Sequence, residues 1–461
     1  MQILLLIPLL LIHLFLLVNL QFTAWPEMLS YPYLIAHGFT PYRDIIFPYF
    51  PLLPWRLSVV FGMFGFSVVV LEYITWLLLV VVDLLIFILS LLLFKNKWLA
   101  LCSLVFFIFW QPFLDGNMLW FDIATVPYVL LAVILCVYFS TRTSPMWFAI
   151  CGILLALTVL VRQSALLYAV ATGFFLWWEN RTSVKRLRWL LMGFLIPCFG
   201  LVGYLWQQDL WGDFWQWGIM VPLFTMSKIP GYAQWPTAGQ MVLIFTIVIL
   251  ALGQIGKERQ KPSWITLMSL LTLAALVSAF PRFSLLRLQP VLAFLTPVVI
   301  WWGWHWYNRL GKVMLLVYAI MLAGGVFVQQ NFYLLYWHQP IRFFEEETIV
   351  GASYLAKSTK SEDRVFLQGV PSQWFVLADR LPPKPWVDNF PWYLEVAGVQ
   401  EAVVKSLNQD VPPVVLYHYP EQGLPFAIGT YQPALVQAYL QAHYTQTEKI
   451  APGVWLWLKN K

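Results

Sequence analysis

The sequence predicts an α-helical polytopic membrane protein, with about 11 transmembrane helices and a small C-terminal α/β extracytoplasmic domain. Three observations predict it. The 461 residues are 60% hydrophobic and 11% charged, with a mean hydropathy of +0.71, more apolar surface than a soluble domain can bury. Apolar runs long enough to matter recur over residues 1–328, and from about residue 329 the composition becomes mixed polar. The 26 Trp and 21 Tyr suit a chain with many membrane–water boundaries, where amphipathic rings settle at headgroup level.

Taken in order, runs that can cross roughly 30 Å of hydrocarbon lie near 3–20, 66–94, 98–110, 118–140, 146–161, 164–178, 188–206, 239–254, 264–280, 290–304 and 312–328. No basic stretch precedes the first run and no small-residue cleavage pattern follows it, so it is read as a span and not as a leader. Basic residues orient the set. With residue 1 cytoplasmic, the inward loops carry Lys95 and Lys97, then Arg142, then Arg181, Lys185, Arg186 and Arg188, then Lys257, Arg259 and Lys261, and last Arg309 and Lys312. That is the positive-inside pattern. It accounts for the net charge of +6 without invoking nucleic acid. An odd number of spans puts the opening loop and the C-terminal region on the same outer face of a plasma (inner) membrane. Cys102, Cys136, Cys151 and Cys198 fall irregularly inside apolar runs, as small buried hydrophobes with no disulfide or zinc pattern.

Residues 329–461 alternate strand-like pieces (364–367, 414–417, 454–458) with helix-like pieces (346–357, 400–407, 434–443), the mark of a small α/β domain. They contain no glycine-rich nucleotide-binding motif. Residues 1–328 form the transmembrane module, with its first outer loop over 21–65.

That loop is the unusual stretch. WPEMLSYPYLIAHGFTPYRDIIFPYFPLLPW, residues 25–55, holds Glu27, Arg43 and Asp44 among many prolines and aromatic rings. It reads as an active-site loop along the membrane surface, opening with a short interfacial helix over 27–37. A charge in or beside a span costs several kcal/mol unless paired or wetted, and so is a functional candidate. On the outer side the candidates are Glu27, Arg43, Asp44, Arg56, Asp115, Asp122, Arg162, Arg282 and Arg287, all at predicted outer ends of spans and able to converge on one cavity. Each also has a structural reading. Glu27 can favour the first turn of its own helix, Asp44 can pair with Arg43, and Asp115 before Gly116 is ordinary turn chemistry. Asp122, inside MLWFDIATVPYVLL, needs a partner. Asp83, in mid-run, reads as a pairing group. Arg282 and Arg287 can be interfacial anchors whose stems snorkel, or together with Arg162 can hold an anion such as phosphate. His37, His305 and His338 lack metal spacing and read as structural.

The layout resembles the GT-C superfamily of membrane glycosyltransferases, in the style of the bacterial protein O-mannosyltransferases, lipid A aminoarabinose transferases and rhizobial lipopolysaccharide galacturonosyltransferases. The resemblance rests on the acid ahead of an amphipathic helix (Glu27–Gly38), GFTPYRDIIFPYFPLLPW after it, and Asp122 in LWFDIATVPYVLLA. It also rests on LTVLVRQSALLY, on PRFSLLRLQPVLAFLTP, and on DRVFLQGVPSQWFVLADRLPP in the tail. It implies transfer of a sugar from a polyprenyl-phosphate donor to an envelope glycan, lipid or protein, with inversion. Glu27 would be general base, with Asp122 orienting the acceptor or helping to hold a divalent ion. Arg162, Arg282, Arg287 and Arg43 would hold the donor phosphate. A divalent cation is the one cofactor left open. Many relatives have two adjacent acids where this chain has Pro26-Glu27, so Asp44 or Asp122 can share or take the base role. The other classes are a polytopic transporter or flippase, a lipid-linked glycan ligase or polymerase, and a non-catalytic scaffold. A transporter should show paired repeats and broken helices, and neither is evident.

Overall fold

The computed structural model describes residues 5–140, 144–179, 184–229, 231–258, 260, 262–388, 391–418 and 433–460. Arg142, Arg181, Arg259 and Lys261, counted above in the inward loops, lie outside the described residues. Each of the eleven apolar runs is a helix: Leu6–Asn19, Val68–Phe94, Lys97–Trp110, Phe121–Ser140, Phe148–Val161, Leu166–Glu179, Val184–Gln207, Ala238–Lys257, Trp264–Ser278, Gln289–Leu310 and Lys312–Tyr336. Among the described residues, six helices are long and apolar enough to cross a membrane, those beginning at Val68, Phe121, Val184, Ala238, Gln289 (counted with the turn Leu285–Leu288 that leads into it) and Lys312. The other five have 14 or 15 residues, which reach only about 21 Å at 1.5 Å per residue.

Two differences from the sequence reading have clear causes. The last apolar helix runs to Tyr336, past residue 328, because Gln329, Gln330 and Asn331 are tolerated in a helix once Gln329 donates to the carbonyl of Phe109. The second half of the opening loop is also a helix, Leu52–Phe64. Its prolines, Pro51 and Pro54, sit at the cap and in the first turn, where a missing N–H breaks no intrahelical bond.

The chain forms two compact units. The first comprises Met1–Phe22, Tyr73–Gly203 and Trp235–Gln339. Two glycines let its helices Phe148–Val161 and Val184–Gln207 cross in backbone contact. A Cβ on Gly152 would lie 2.0 Å from the carbonyl oxygen of Leu190, and one on Gly193 would lie 1.9 Å from that of Ala149. Small residues at such crossings are the usual route to close helix packing in lipid.

A polar chain also runs through this unit. His13 Nδ1 is 2.7 Å from Asp83 Oδ2, and Nε2 is 3.1 Å from Gln111 Oε1. The Gln111 amide nitrogen donates to the Gly116 carbonyl (2.8 Å) and to Gln289 Oε1 (3.2 Å), and Gln289 donates to the carbonyls of Gln111 and Leu114. With its nitrogen committed to two acceptors, Gln111 presents an oxygen to His13, which needs a proton on Nε2. One further proton lies between Nδ1 and Asp83, so the pair carries no net charge. That is how a carboxyl group sits in an apolar helix, and it matches the pairing role expected for Asp83. Asp115 adopts the left-handed conformation (φ 51°) of the turn expected there. Gly116 must remain glycine, because a Cβ would meet the Gln111 carbonyl at 2.1 Å. Cys136 and Cys151 are buried as expected, whereas Cys102 is exposed.

The second unit comprises Thr23–Glu72, Tyr204–Gln234 and Pro340–Lys461. Strand β1 (Ile45–Ile46) belongs to the opening loop. β2 (Val365–Gln368), β3 (Trp386–Val387), β4 (Val414–His418), β5 (Tyr444–Ala451) and β6 (Val454–Lys459) come from the C-terminal region. β2, β4, β6 and β5 form a four-stranded sheet in that order, parallel between β2 and β4 and antiparallel elsewhere. Helices Glu346–Ser358, Val399–Gln409 and Ala434–His443 match the helix-like pieces expected. β5 was missed because YTQTEKIA is a mostly exposed edge strand with no apolar alternation to reveal it.

Substituting Gly152 with valine forces its helix pair apart. We expect a loss of at least about 1–3 kcal/mol, read as a lowered unfolding midpoint of the purified protein in detergent, with Gly200→Ala, which has open space at its Cβ position, near the parent.

Candidate active site

The helix expected after Trp25 spans Glu27–Ala36. Pro26 (φ −50°) is its cap residue and supplies no side-chain cap, while Glu27 opens the first turn, where a negative charge meets unpaired N–H groups. This helix is fastened to the C-terminal region by three hydrogen bonds. Ser30 Oγ is 2.9 Å from Ser372 Oγ, Tyr31 donates to Asp388 Oδ2 at 2.7 Å, and Tyr33 donates to Asp379 Oδ1 at 2.9 Å. β1 then pairs in parallel with β3, Ile45 with Trp386 and Ile46 with Val387, and the Trp386 N–H donates to the Asp44 carbonyl at 2.8 Å. Tyr31, Tyr42, Phe47, Trp386 and Tyr393 are buried around this junction. Phe47 stacks on Tyr42 at 5.2 Å and packs on Tyr31 at 5.0 Å.

Glu27 lies one helical turn before Tyr31, on the same face. It is 4% exposed and Asp388 is 3% exposed. Glu27 Oε2 has no hydrogen-bond partner among the described residues. Burial, and after it the charge of Asp388, push the Glu27 carboxyl well above the usual carboxylate range, against a smaller opposite pull from its own backbone N–H. Burial and then Asp388 push the Tyr31 hydroxyl up as well, so Tyr31 stays a donor. A protonatable carboxyl with an open oxygen can accept a proton from an incoming hydroxyl.

The neighbours Arg43 and Asp44 do not pair with each other. Arg43 Nε meets Asp213 at 3.1 Å, and its other nitrogens donate to the carbonyls of Gln208 and Asp209. Asp44 accepts from Lys384 Nζ and from the Thr40 N–H, both at 2.9 Å. Lys384 also donates to the Gly38 carbonyl at 2.9 Å.

In the first unit, Asp122 finds the partner its setting demanded. Arg162 pairs with it through Nη1 and donates to the Ser278 carbonyl at 3.2 Å, with both side chains buried. Two residues assigned different tasks from sequence thus form one ion pair. Arg282 precedes Phe283, and Arg287 lies within the turn Leu285–Leu288; both are half-buried. The Arg287 guanidinium has no hydrogen-bond or ion-pair partner among the described residues. Among those residues no group of three or more His, Cys, Asp or Glu is placed to hold a metal. An apolar groove of about 560 Å³ opens among Leu9, Ile12, Phe109, Val326, Tyr333 and Trp337, and none of the candidate acids or arginines lines it.

No family model and no curated protein sequence matches the chain. Solved structures do. The oligosaccharyltransferase of Archaeoglobus fulgidus, crystallised with Zn and sulfate, is 13% identical with a TM-score of 0.54, over 98% of this chain and 73% of that one. ArnT from Cupriavidus metallidurans in the apo state is 11% identical with a TM-score of 0.60, over 99% of this chain and 97% of that one. The same protein bound to undecaprenyl phosphate is 10% identical with a TM-score of 0.51, over 95% and 75%. Both are GT-C superfamily membrane glycosyltransferases. This chain has the GT-C fold.

Within that GT-C fold, sequence reading missed Asp388. The signal was present in KPWVDNFPWYL, a lone acid among rings and prolines with the same composition as the opening loop. Arg162 tests the other pair. Arg162→Ala leaves Asp122 buried without its cation and should cost about 3–5 kcal/mol. Adding Asp122→Ala should restore a large part of that loss in a double-mutant cycle read by thermal or denaturant unfolding.

Proposed function

We propose that this protein is a glycosyltransferase that moves a sugar from a polyprenyl-phosphate-linked donor to an envelope lipid, glycan or protein. Transfer takes place with inversion, on the outer face of the plasma membrane, and Glu27 is the general base. The remaining five apolar helices also cross the membrane in this reading. One observation carries it: in a chain matching ArnT over nearly its whole length, Glu27 is a buried carboxyl with an open oxygen. Asp44 and Asp122, the other candidate bases, are each engaged by a cation, Lys384 and Arg162. That leaves Glu27 best suited to take a proton.

The acceptor hydroxyl gives its proton to Glu27, and its oxygen forms the new bond to the anomeric carbon. The bond from that carbon to the phosphate oxygen breaks, and the electron pair leaves on polyprenyl phosphate, which gains one negative charge. Arg287, whose guanidinium is unengaged among the described residues, and Arg282 are assigned to the phosphate, where fixed positive charge stabilises the leaving group. Arg43 and Arg162 hold carboxylates and serve the architecture first. Among the described residues a divalent cation would find at most two His, Cys, Asp or Glu side chains together, and no step is assigned to it.

Glu27→Gln should lower turnover about 10²–10⁴-fold on a polyprenyl-phosphate sugar with the fold intact. Turnover within a few-fold of the parent would overturn the base assignment. Arg287→Ala should raise the KM for the donor more than it lowers kcat. Mass spectrometry of envelope glycans with and without the gene identifies the sugar and acceptor.

A further inference from the structure

Asp388 is 361 positions from Glu27 in the chain, yet the fold delivers it to the same buried cluster. The β1–β3 pairing fixes residues 386–387 against the opening loop, and the next residue meets Tyr31, one turn along the helix from Glu27. Nothing in local chain chemistry requires this. Two carboxyl groups share apolar surroundings of Tyr31, Phe47, Trp386 and Tyr393, where a lone charge is already costly. The second carboxyl therefore has to be explained.

We propose that Asp388 is a positioning residue for Glu27: the Tyr31 hydroxyl holds Asp388 as the anion, and that fixed negative charge makes Glu27 the member of the pair that takes the proton. The division of labour follows from the hydrogen bonds. Tyr31 donates to Asp388 Oδ2 at 2.7 Å, and a donor of this kind stabilises a carboxylate over its acid. Glu27 Oε2 lacks such a donor and is free to bind a proton. During transfer the acceptor O–H proton moves to Glu27 Oε2 while Asp388 remains charged, so the pair passes from two negative charges to one. The inference rests on Glu27 being the base.

The groups packed around Glu27 do not offer a rival explanation. Arg56, on the neighbouring helix Leu52–Phe64, is exposed. Arg380, after helix Gln373–Ala378, is taken up by Thr359 and by the carbonyls of Ala356, Ala378, Asp379 and Thr359. Asp379 accepts from Tyr33, and Lys384 is bound to Asp44. His37, at the far end of the helix, contacts the Tyr33 carbonyl. Tyr393 adds only a hydroxyl that burial keeps protonated.

The test is Asp388→Asn in the full-length protein, which keeps the size of the side chain and removes its charge. The acid limb of kcat/KM against pH should move down by about one pH unit, because Glu27 then releases its proton more easily, and the maximal rate should fall. Asp388→Glu should bring the limb back toward the parent. An infrared titration of the protonated-carboxyl band, assigned by its loss in Glu27→Gln, should show the same downward shift without any turnover. An unmoved limb and an unmoved band, with Glu27→Gln inactive, would overturn the role of Asp388. A shifted band with Glu27→Gln fully active would support the pairing and overturn the base assignment instead.

Discussion

The arrangement of the second unit depends on fastening the Glu27–Ala36 helix to residues far along the chain. Ser30, Tyr31 and Tyr33 reach partners 342, 357 and 346 positions away, and the β1–β3 pair repeats the join in backbone bonds. A ten-residue helix containing Pro32 is too short and too interrupted to hold itself in water. Its order comes from these tertiary contacts, and so does the placement of Glu27. Each bond is worth on the order of 1 kcal/mol net, but each also closes a very long loop, so they gain by acting together.

Charge in apolar surroundings is handled in two ways. Asp83 and Asp122 are neutralised by His13 and Arg162, the arrangement expected where water is scarce. Glu27 instead has another carboxylate, Asp388, as its charged neighbour. Stability alone would not select that neighbour, because two acids together raise the cost of burial. A local rule broken without a visible structural gain is the usual mark of a working site.

What could be read in the sequence was periodic or local. Apolar runs located the eleven helices, and the start of the Glu27 helix followed from an acid placed after Trp-Pro. The strands at 365–368, 414–418 and 454–459 showed as short β-branched and aromatic stretches. What could not be read was pairing at distance. Asp122 announced that it needed a cation but not that Arg162 would supply it, and the adjacent Arg43 and Asp44 invited a local pair that the fold sends to Asp213 and Lys384. Asp388 was hidden because an acid in a proline-rich tail looks like a loop residue until a strand register sets it beside Tyr31. Leu52–Phe64 and β5 were obscured for opposite reasons, one by its prolines and the other by its polar, exposed face.

The parallel join between β1 and β3 also imposes an order on biosynthesis. At translation rates of roughly 5–20 residues per second, the ribosome needs on the order of tens of seconds to travel from the opening loop to its partners. For all that time the loop has emerged and its clasp has not. The nascent chain must keep an aromatic-rich segment from pairing wrongly until the last quarter of the protein arrives, and a ribosome that stops before Trp386 leaves that segment with nothing to close upon.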